Sequence, residues 1–195
     1  GNNNTIHDVP VTGNRHIIKL DDADYITLDS LNIVSLATGF GWGVHLTNGA
    51  NNDSIVSCTI DNSAVTSTTV DNSAGIVAAN SSTDLNAAGS ASNTVIMNNV
   101  IKGGYYGIIL NGGTAAIDAS GNKITGNTIQ DFYSIGIEIA DNDGITISYN
   151  DIHRINRTAV GTFEGLGLNG DTKNSLVIGN RTHDTHTAAS TQTGT

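Results

Sequence analysis

Five copies of one short pattern, Gly-aliphatic-x-aliphatic, run through the chain. They read "GVHL" at Gly43, "GIVA" at Gly75, "GIIL" at Gly107, "GIEI" at Gly136 and "GLGL" at Gly165, and are 32, 32, 29 and 29 residues apart. "IIKL" at Ile17 fits the same template without its glycine. A second column places a turn residue two positions before an aliphatic one: Leu31–Ile33, Cys58–Ile60, Asn99–Ile101, Asn127–Ile129 and Asn150–Ile152, with Asn180–Thr182 closing the series. Before each lies a third β-rich run, such as "YITL", "TVIM" or "GITIS". Each run alternates inward and outward, and three short strands cannot bury a face alone. They can if every repeat is one turn of a coil and the turns stack at the strand spacing.

The repeat therefore predicts an all-β chain, a right-handed parallel β-helix of about six to seven coils. Residues 1–195 would form a single domain with less regular ends at 1–14 and 183–195. Three aliphatic ladders are expected inside. One is Val44, Ile76, Ile108, Ile137 and Leu166; another is Leu46, Ala78, Leu110, Ile139 and Leu168; the third is Ile33, Ile60, Ile101, Ile129 and Ile152. Asn99, Asn127, Asn150 and Asn180 read as an asparagine ladder, because Asn tolerates a left-handed turn and its amide can bond the neighbouring coil. Leu31 and Cys58 interrupt that column, so the ladder would start midway. Two inserts, residues 61–74 and 80–93, are built of Ser, Thr, Ala, Asn and Asp and flank the third glycine copy. A smaller one spans 111–122. They are expected to be mobile surface loops walling a groove.

Composition removes several function classes. Of 195 residues, 8 are Lys or Arg and 18 are Asp or Glu, for a net charge of −10. That is too little positive charge for a nucleic-acid-tracking stripe. No apolar run reaches membrane-spanning length. The lone Cys58 allows no internal disulfide and reads as a buried, inert thiol. The chain begins at Gly1, and the repeat runs almost into both ends, so it is expected to be part of a larger chain.

The sequence resembles the β-helix repeat proteins grouped with pectate lyases, alginate epimerases and lyases, and the repeat regions of large bacterial surface proteins. "NNVIKGGYYGIIL" and "NTIQDFYSIGIEI" carry the resemblance, which extends over roughly residues 15–182. It implies a secreted or cell-surface location and a polysaccharide or surface glycan as partner. In polysaccharide-active relatives the substrate lies along the sheet that here carries Gly-Ile-x-Ile. Counting in twos places Lys19, His45, Val77, Ile109, Glu138 and Gly167 outward on it, with Asn111 and Asn169 two places on. His45 and Glu138 lie three coils apart, about 14 Å, too far for one acid–base pair.

Aromatic residues cluster before the glycine column: Phe40, Trp42, Tyr105, Tyr106, Phe132, Tyr133 and Phe163. They either cover the ends of the ladders or form a row of rings for stacking on sugars. The candidate ligand-binding set is Trp42, His45, Tyr105, Tyr106, Asn111, Tyr133, Glu138, Phe163 and Asn169. For a lyase, the resemblance implies Arg154 or Arg157 as neutraliser of a substrate carboxylate and His153 or Tyr133 as proton carrier, with Glu138 a further catalytic candidate. The competing reading of Arg154 is an exposed ladder of alternating charge with Asp131 and Asp184. Asp141, Asp143 and Asp171 at matching strand exits suit Ca²⁺, or are simply solvated turns; otherwise no cofactor is expected. The Asp-Pro-His motif of alginate epimerases is absent, since Pro10 is the sole proline. So are the paired-Asp and Gly-His-Gly signatures of β-helix polygalacturonases. The expectation is a non-catalytic module that scaffolds or binds polysaccharide. A lyase or uronate epimerase, less readily a glycoside hydrolase, is the alternative, and a structural spacer is a further one.

Overall fold

A computed structural model describes residues 4–113 and 119–186. The chain winds as a parallel β-helix of six complete coils. Each coil runs through a strand of the Gly sheet, a strand of a third sheet, a tight turn and a strand of the Asn sheet. In the fourth coil these are Tyr106–Asn111, Lys123–Thr125 and Thr128–Gln130. Every strand pairing is parallel, so each coil lies directly on the next. Thr5–Asp8, within the end expected to be less regular, adds a seventh strand to the Asn sheet by pairing with Asn32–Ser35. The one helical segment among the described residues is a single 3₁₀ turn, Val70–Asn72.

The predicted ladders hold in register. Val44, Ile76, Ile108, Ile137 and Leu166 are successive partners, as are Ile33, Ile60, Ile101, Ile129 and Ile152. The third sheet adds its own inward column: Leu28, Ile55, Ile96, Ile124, Ile147 and Val177. Most of these side chains are fully buried, and each contributes about 2 kcal/mol of transfer free energy. The sixth coil has no such cover: Leu168 and Val177 occupy inward columns yet are 42% and 44% exposed.

The glycine column has a steric cause. A methyl group on Gly43, Gly75 or Gly107 would overlap Cγ2 of Ile60, Ile101 or Ile129 and the carbonyl oxygen of the next glycine. The coil pinches here, and the β-branched ladder of the Asn sheet fills the space a side chain would need.

The asparagine ladder is present and continuous. Asn99, Asn127 and Asn150 each donate their backbone N–H, at 2.9–3.0 Å, to the side-chain oxygen of the next asparagine. Their amides donate to the same oxygen and to the carbonyls of Ile55, Ile96 and Ile124. Cys58 donates its backbone N–H to Asn99 Oδ1 at 2.9 Å, which starts the ladder one coil before its first asparagine. The left-handed backbone sits one position earlier than expected: Ser57, Asn98, Gly126, Tyr149 and Gly179 have positive φ, and the ladder asparagines do not. Asn is used there for its two-sided amide, not for its backbone tolerance. Cys58 is buried, and burial raises its thiol pKa, in keeping with an inert role.

Candidate functional site

The outward row Lys19, His45, Val77, Ile109, Glu138 and Gly167 is in register. A second row lies beside it: His16, Trp42, Ala74, Tyr106, Ile135 and Glu164. Counting in twos misses this row, because the bend at each glycine slips the alternation by one residue.

Over the second to fourth coils this face is closed by the chain itself. Leu85, from the 80–93 insert, is fully buried in a cluster with Trp42, Ala74, Val77, Ala79, Tyr106 and Ile109. Its N–H donates to Asp71 Oδ1 at 3.1 Å, and its carbonyl accepts the Asn111 amide. The Asp71 carbonyl accepts from the Trp42 indole at 2.9 Å and from Arg15 at 2.7 Å, and Arg15 also reaches the Thr83 carbonyl. The two inserts, expected to be mobile walls, thus meet as a packed lid. The reason is one leucine that their polar composition conceals. The smaller insert at 111–122 falls partly outside the described residues.

Four candidate ligand contacts are corrected by this lid. Trp42 and His45 are fully buried, and Tyr106 and Asn111 nearly so, so none offers a surface to a ligand. His45 Nε2 bonds the Ala79 carbonyl at 2.8 Å. Burial lowers its pKa to about 4, with the Ala79 bond opposing that shift, so the ring is neutral. Phe163 is corrected as well: it turns inward and packs at 5.5 Å against the fully buried Phe132. Arg154 is not part of an exposed charge ladder. It is fully buried, its guanidinium over Phe163 at 4.8 Å, and it donates to the carbonyls of Tyr133, Gly161 and Thr185. Burial brings its pKa down to about 10. A substrate carboxylate does not reach it there.

The last two coils, with Tyr105 at the edge of the fourth, leave the same face partly open. Tyr105 and Tyr133 are half-buried, with ring centroids 5.2 Å apart, and Tyr105 continues onto Tyr106 at 5.0 Å. The Arg157 guanidinium lies 5.5 Å over the Tyr133 ring and donates to the carbonyls of Ala159, Gly104 and Asp131. It also lines a cleft of about 320 Å³ with Val65, Asp131 and Asn156. Toward the other side of the strip, two carboxylates meet. Glu138 Oε2 and Glu164 Oε1 both lie over Gly167, where a methyl group would displace them. Asn169 donates to Glu138 Oε1, while the buried Oε2 has no hydrogen-bond partner. Burial raises the Glu138 pKa, the Asn169 bond opposes this, and Glu164 adds to it by like-charge repulsion. Tyr106 is close enough for Glu138 to reinforce the rise that burial imposes on its phenol.

Of the candidate catalytic residues, Glu138 and Tyr133 lie along this strip, with Arg157 over the Tyr133 ring. Arg154 is inside the coil. His153 is on the Asn sheet, in register with Gln130 and His183. Of the proposed Ca²⁺ ligands, Asp141 and Asp171 adjoin, Asp141 Oδ1 accepting the Asp171 N–H at 2.8 Å, while Asp171 pairs with Lys173 at 2.9 Å and Asp143 accepts from Asn174. Glu164 was not singled out by the sequence pattern, and the slip at Gly165 is why. Comparison of the chain with protein-family models, with curated proteins and with solved structures finds no match.

Proposed function

We propose that this chain is a carbohydrate-binding β-helix module of a secreted or cell-surface protein. Its contact surface is the open strip of the Gly sheet, running from Tyr105 and Tyr133 to Glu138, Glu164 and Asn169. One observation carries the reading: the chain fills this face with its own Leu85 over the second to fourth coils and leaves it partly open over the last two. Flat rings beside carboxylate and amide groups suit a sugar, which presents an apolar ring face and a rim of hydroxyls. Three strands about 4.8 Å apart span about 10 Å, room for two sugar rings rather than a long run. The Glu138–Glu164 pair and the net charge of −10 disfavour uronates and favour neutral or amino sugars. That also weighs against the lyase and epimerase activities implied by the resemblance to pectate lyases.

A second reading, glycoside hydrolysis, is favoured by the carboxylate pair. One member has a raised proton affinity, as a general acid needs, and the other is exposed. Calorimetric titration with neutral and amino-sugar oligosaccharides, beside oligogalacturonate as control, tests the binding reading. Tyr133→Ala and Tyr105→Ala should each weaken binding several-fold, and no heat with any sugar would refute it. New reducing ends that vanish in Glu138→Gln would replace it with the hydrolase.

A further inference from the structure

On the outer face of the Asn sheet, far along the chain from that strip in each coil, the two last coils bring three metal-binding groups together. His153 and His183 are register partners, with ring centroids 4.8 Å apart. Asp151 lies two residues before His153 and so shares its face. Its Oδ1 is 2.9 Å from His183 Nε2, and its Oδ2 is 4.0 Å from His153 Nε2. One ligand atom from each of the three lies within 4.8 Å of the others, the only such group among the described residues.

We propose that Asp151, His153 and His183 bind a divalent transition-metal ion of the Zn²⁺ class, which staples the sixth coil to the fifth. Two observations mark this group out. His183 faces carboxylate oxygens with both nitrogens, Asp151 at Nε2 and Asp184 Oδ2 at Nδ1, the latter at 2.6 Å. A metal ion between Nε2 and Asp151 Oδ1 would take both as ligands while Nδ1 keeps its contact with Asp184. Independently, the His153 side chain is only 8% exposed, and its Nδ1 has no hydrogen-bond partner. A buried ring nitrogen without a partner is uncommon and calls for an explanation.

The surrounding chemistry fits. Asp184 holds His183 Nδ1–H and so presents Nε2 to the metal, the arrangement by which a carboxylate orients a metal-bound imidazole. Two imidazoles and one carboxylate suit Zn²⁺, Co²⁺ or Ni²⁺ and leave a fourth position for water, whereas Ca²⁺ would demand oxygen ligands. Tetrahedral ligation at about 2.0–2.1 Å places donor atoms about 3.3 Å apart, so small side-chain rotations close the present spacing. Arg181 Nη1, 4.0 Å from Asp151 Oδ1, opposes a cation, but its side chain is 70% exposed and free to swing outward. The ligands come from two strands of adjacent coils, 151–153 and 181–183. Binding would therefore fasten the coil whose inward residues Leu168 and Val177 are least covered.

The test uses the chain stripped with EDTA and then titrated with ZnCl₂ by calorimetry and with CoCl₂ by visible absorption. Expected are one ion per chain, intense tetrahedral Co²⁺ bands displaced by Zn²⁺, and a melting temperature that rises with Zn²⁺ and falls back with EDTA. His153→Ala and His183→Ala, checked for a retained β spectrum, should lose the site. Asp184→Asn should weaken it 10–100-fold. Absence of Co²⁺ bands and of Zn²⁺ heat in the unsubstituted chain would overturn the proposal without any variant. Binding that persists unchanged in both alanine variants would do the same.

Discussion

Replacing Asn127 by alanine removes the middle rung of the ladder, and the structure gives the size of the loss. Asn127 Oδ1 accepts the backbone N–H and the amide of Asn99, both at 2.9 Å. Its amide donates to Asn150 Oδ1 at 2.9 Å and to the Ile96 carbonyl at 3.0 Å. Alanine leaves the Asn99 N–H and the Ile96 carbonyl in the interior without these partners. Asn150 Oδ1 keeps the Asn127 backbone N–H at 3.0 Å, which alanine retains. One orphaned buried N–H at about 1–3 kcal/mol, with the other lost amide bonds at about 1 kcal/mol each, gives a loss of about 3 kcal/mol after relaxation. Asn180→Ala, on the last rung, breaks bonds that are only partly buried and should cost about 1 kcal/mol. Urea unfolding followed by circular dichroism measures both. The midpoint should fall about three times as far for Asn127→Ala as for Asn180→Ala, with the slope unchanged. Equal shifts would refute the argument, because burial of the orphaned groups is what separates the two positions. Asn127→Asp adds a check of sign. A carboxylate still accepts from Asn99 but cannot donate to Ile96. Its pKa in the folded chain should be raised, so stability should return as pH falls and be lost as pH rises.

Gly107→Ala should cost about 2–3 kcal/mol in the same assay, since the new methyl meets both Ile129 Cγ2 and the Gly136 carbonyl. His45 has a folded pKa of about 4 against an unfolded 6.5, so the unfolded chain binds the extra proton between these values. Stability should therefore fall by about 3 kcal/mol as pH drops from 6.5 to 4, and His45→Gln should flatten that slope. Asp53 is fully buried, burial raises its pKa, and its Oδ2 has no hydrogen-bond partner. Asp53→Asn should raise the melting temperature at pH 7, with the gain vanishing in acid where the native carboxyl is protonated. Leu85→Ala should loosen the lid and expose Trp42, read as a red shift of its fluorescence; an unshifted spectrum would show that the lid closes without that side chain.

What the sequence showed of this molecule followed from periodicity, and what it hid followed from breaks in periodicity. The inward ladders were legible because a parallel coil repeats the same register every turn, so Ile108 and Ile137 had only one way to stack. The asparagine column was legible too, though its physical reason was misjudged: the turn conformation belongs to the preceding residue, where Ser57, Asn98 and Gly126 stand. The outward rows were half legible. A strict period of two placed Glu138 correctly and passed over Glu164, because each glycine bend shifts the count. Leu85 was lost in a segment of small polar residues, where one apolar side chain barely alters composition yet decides which part of the sheet meets solvent. Arg154 was counted outward by position, but its long side chain folds inward over two phenylalanine rings and finds backbone carbonyls. A position count fixes where a Cα lies and leaves a flexible side chain undetermined.

In a coil of this kind, position in the repeat and chemistry are separable, and function is found by following one column until its chemistry changes. The outward column begins with Lys19 and buried His45, continues through Val77 and Ile109, and becomes Glu138 and Gly167. The apolar stretch coincides with the part covered by Leu85, as it must, since uncovered Val and Ile on a sheet face would invite aggregation. The point where the column turns acidic is the point where the lid ends. Where the lid ends the column must turn polar, but nothing in the packing requires the lid to end there or the polar residue to be acidic. Glu138 moreover keeps an unpartnered oxygen in a half-buried position, a cost that packing alone does not explain. On the neighbouring sheet the outward column runs through His7, Val34, Asp61, Lys102 and Gln130, and two histidines adjoin each other only in its last two coils. The proposed sugar-contact strip and the proposed metal site thus lie on different faces of the same late coils.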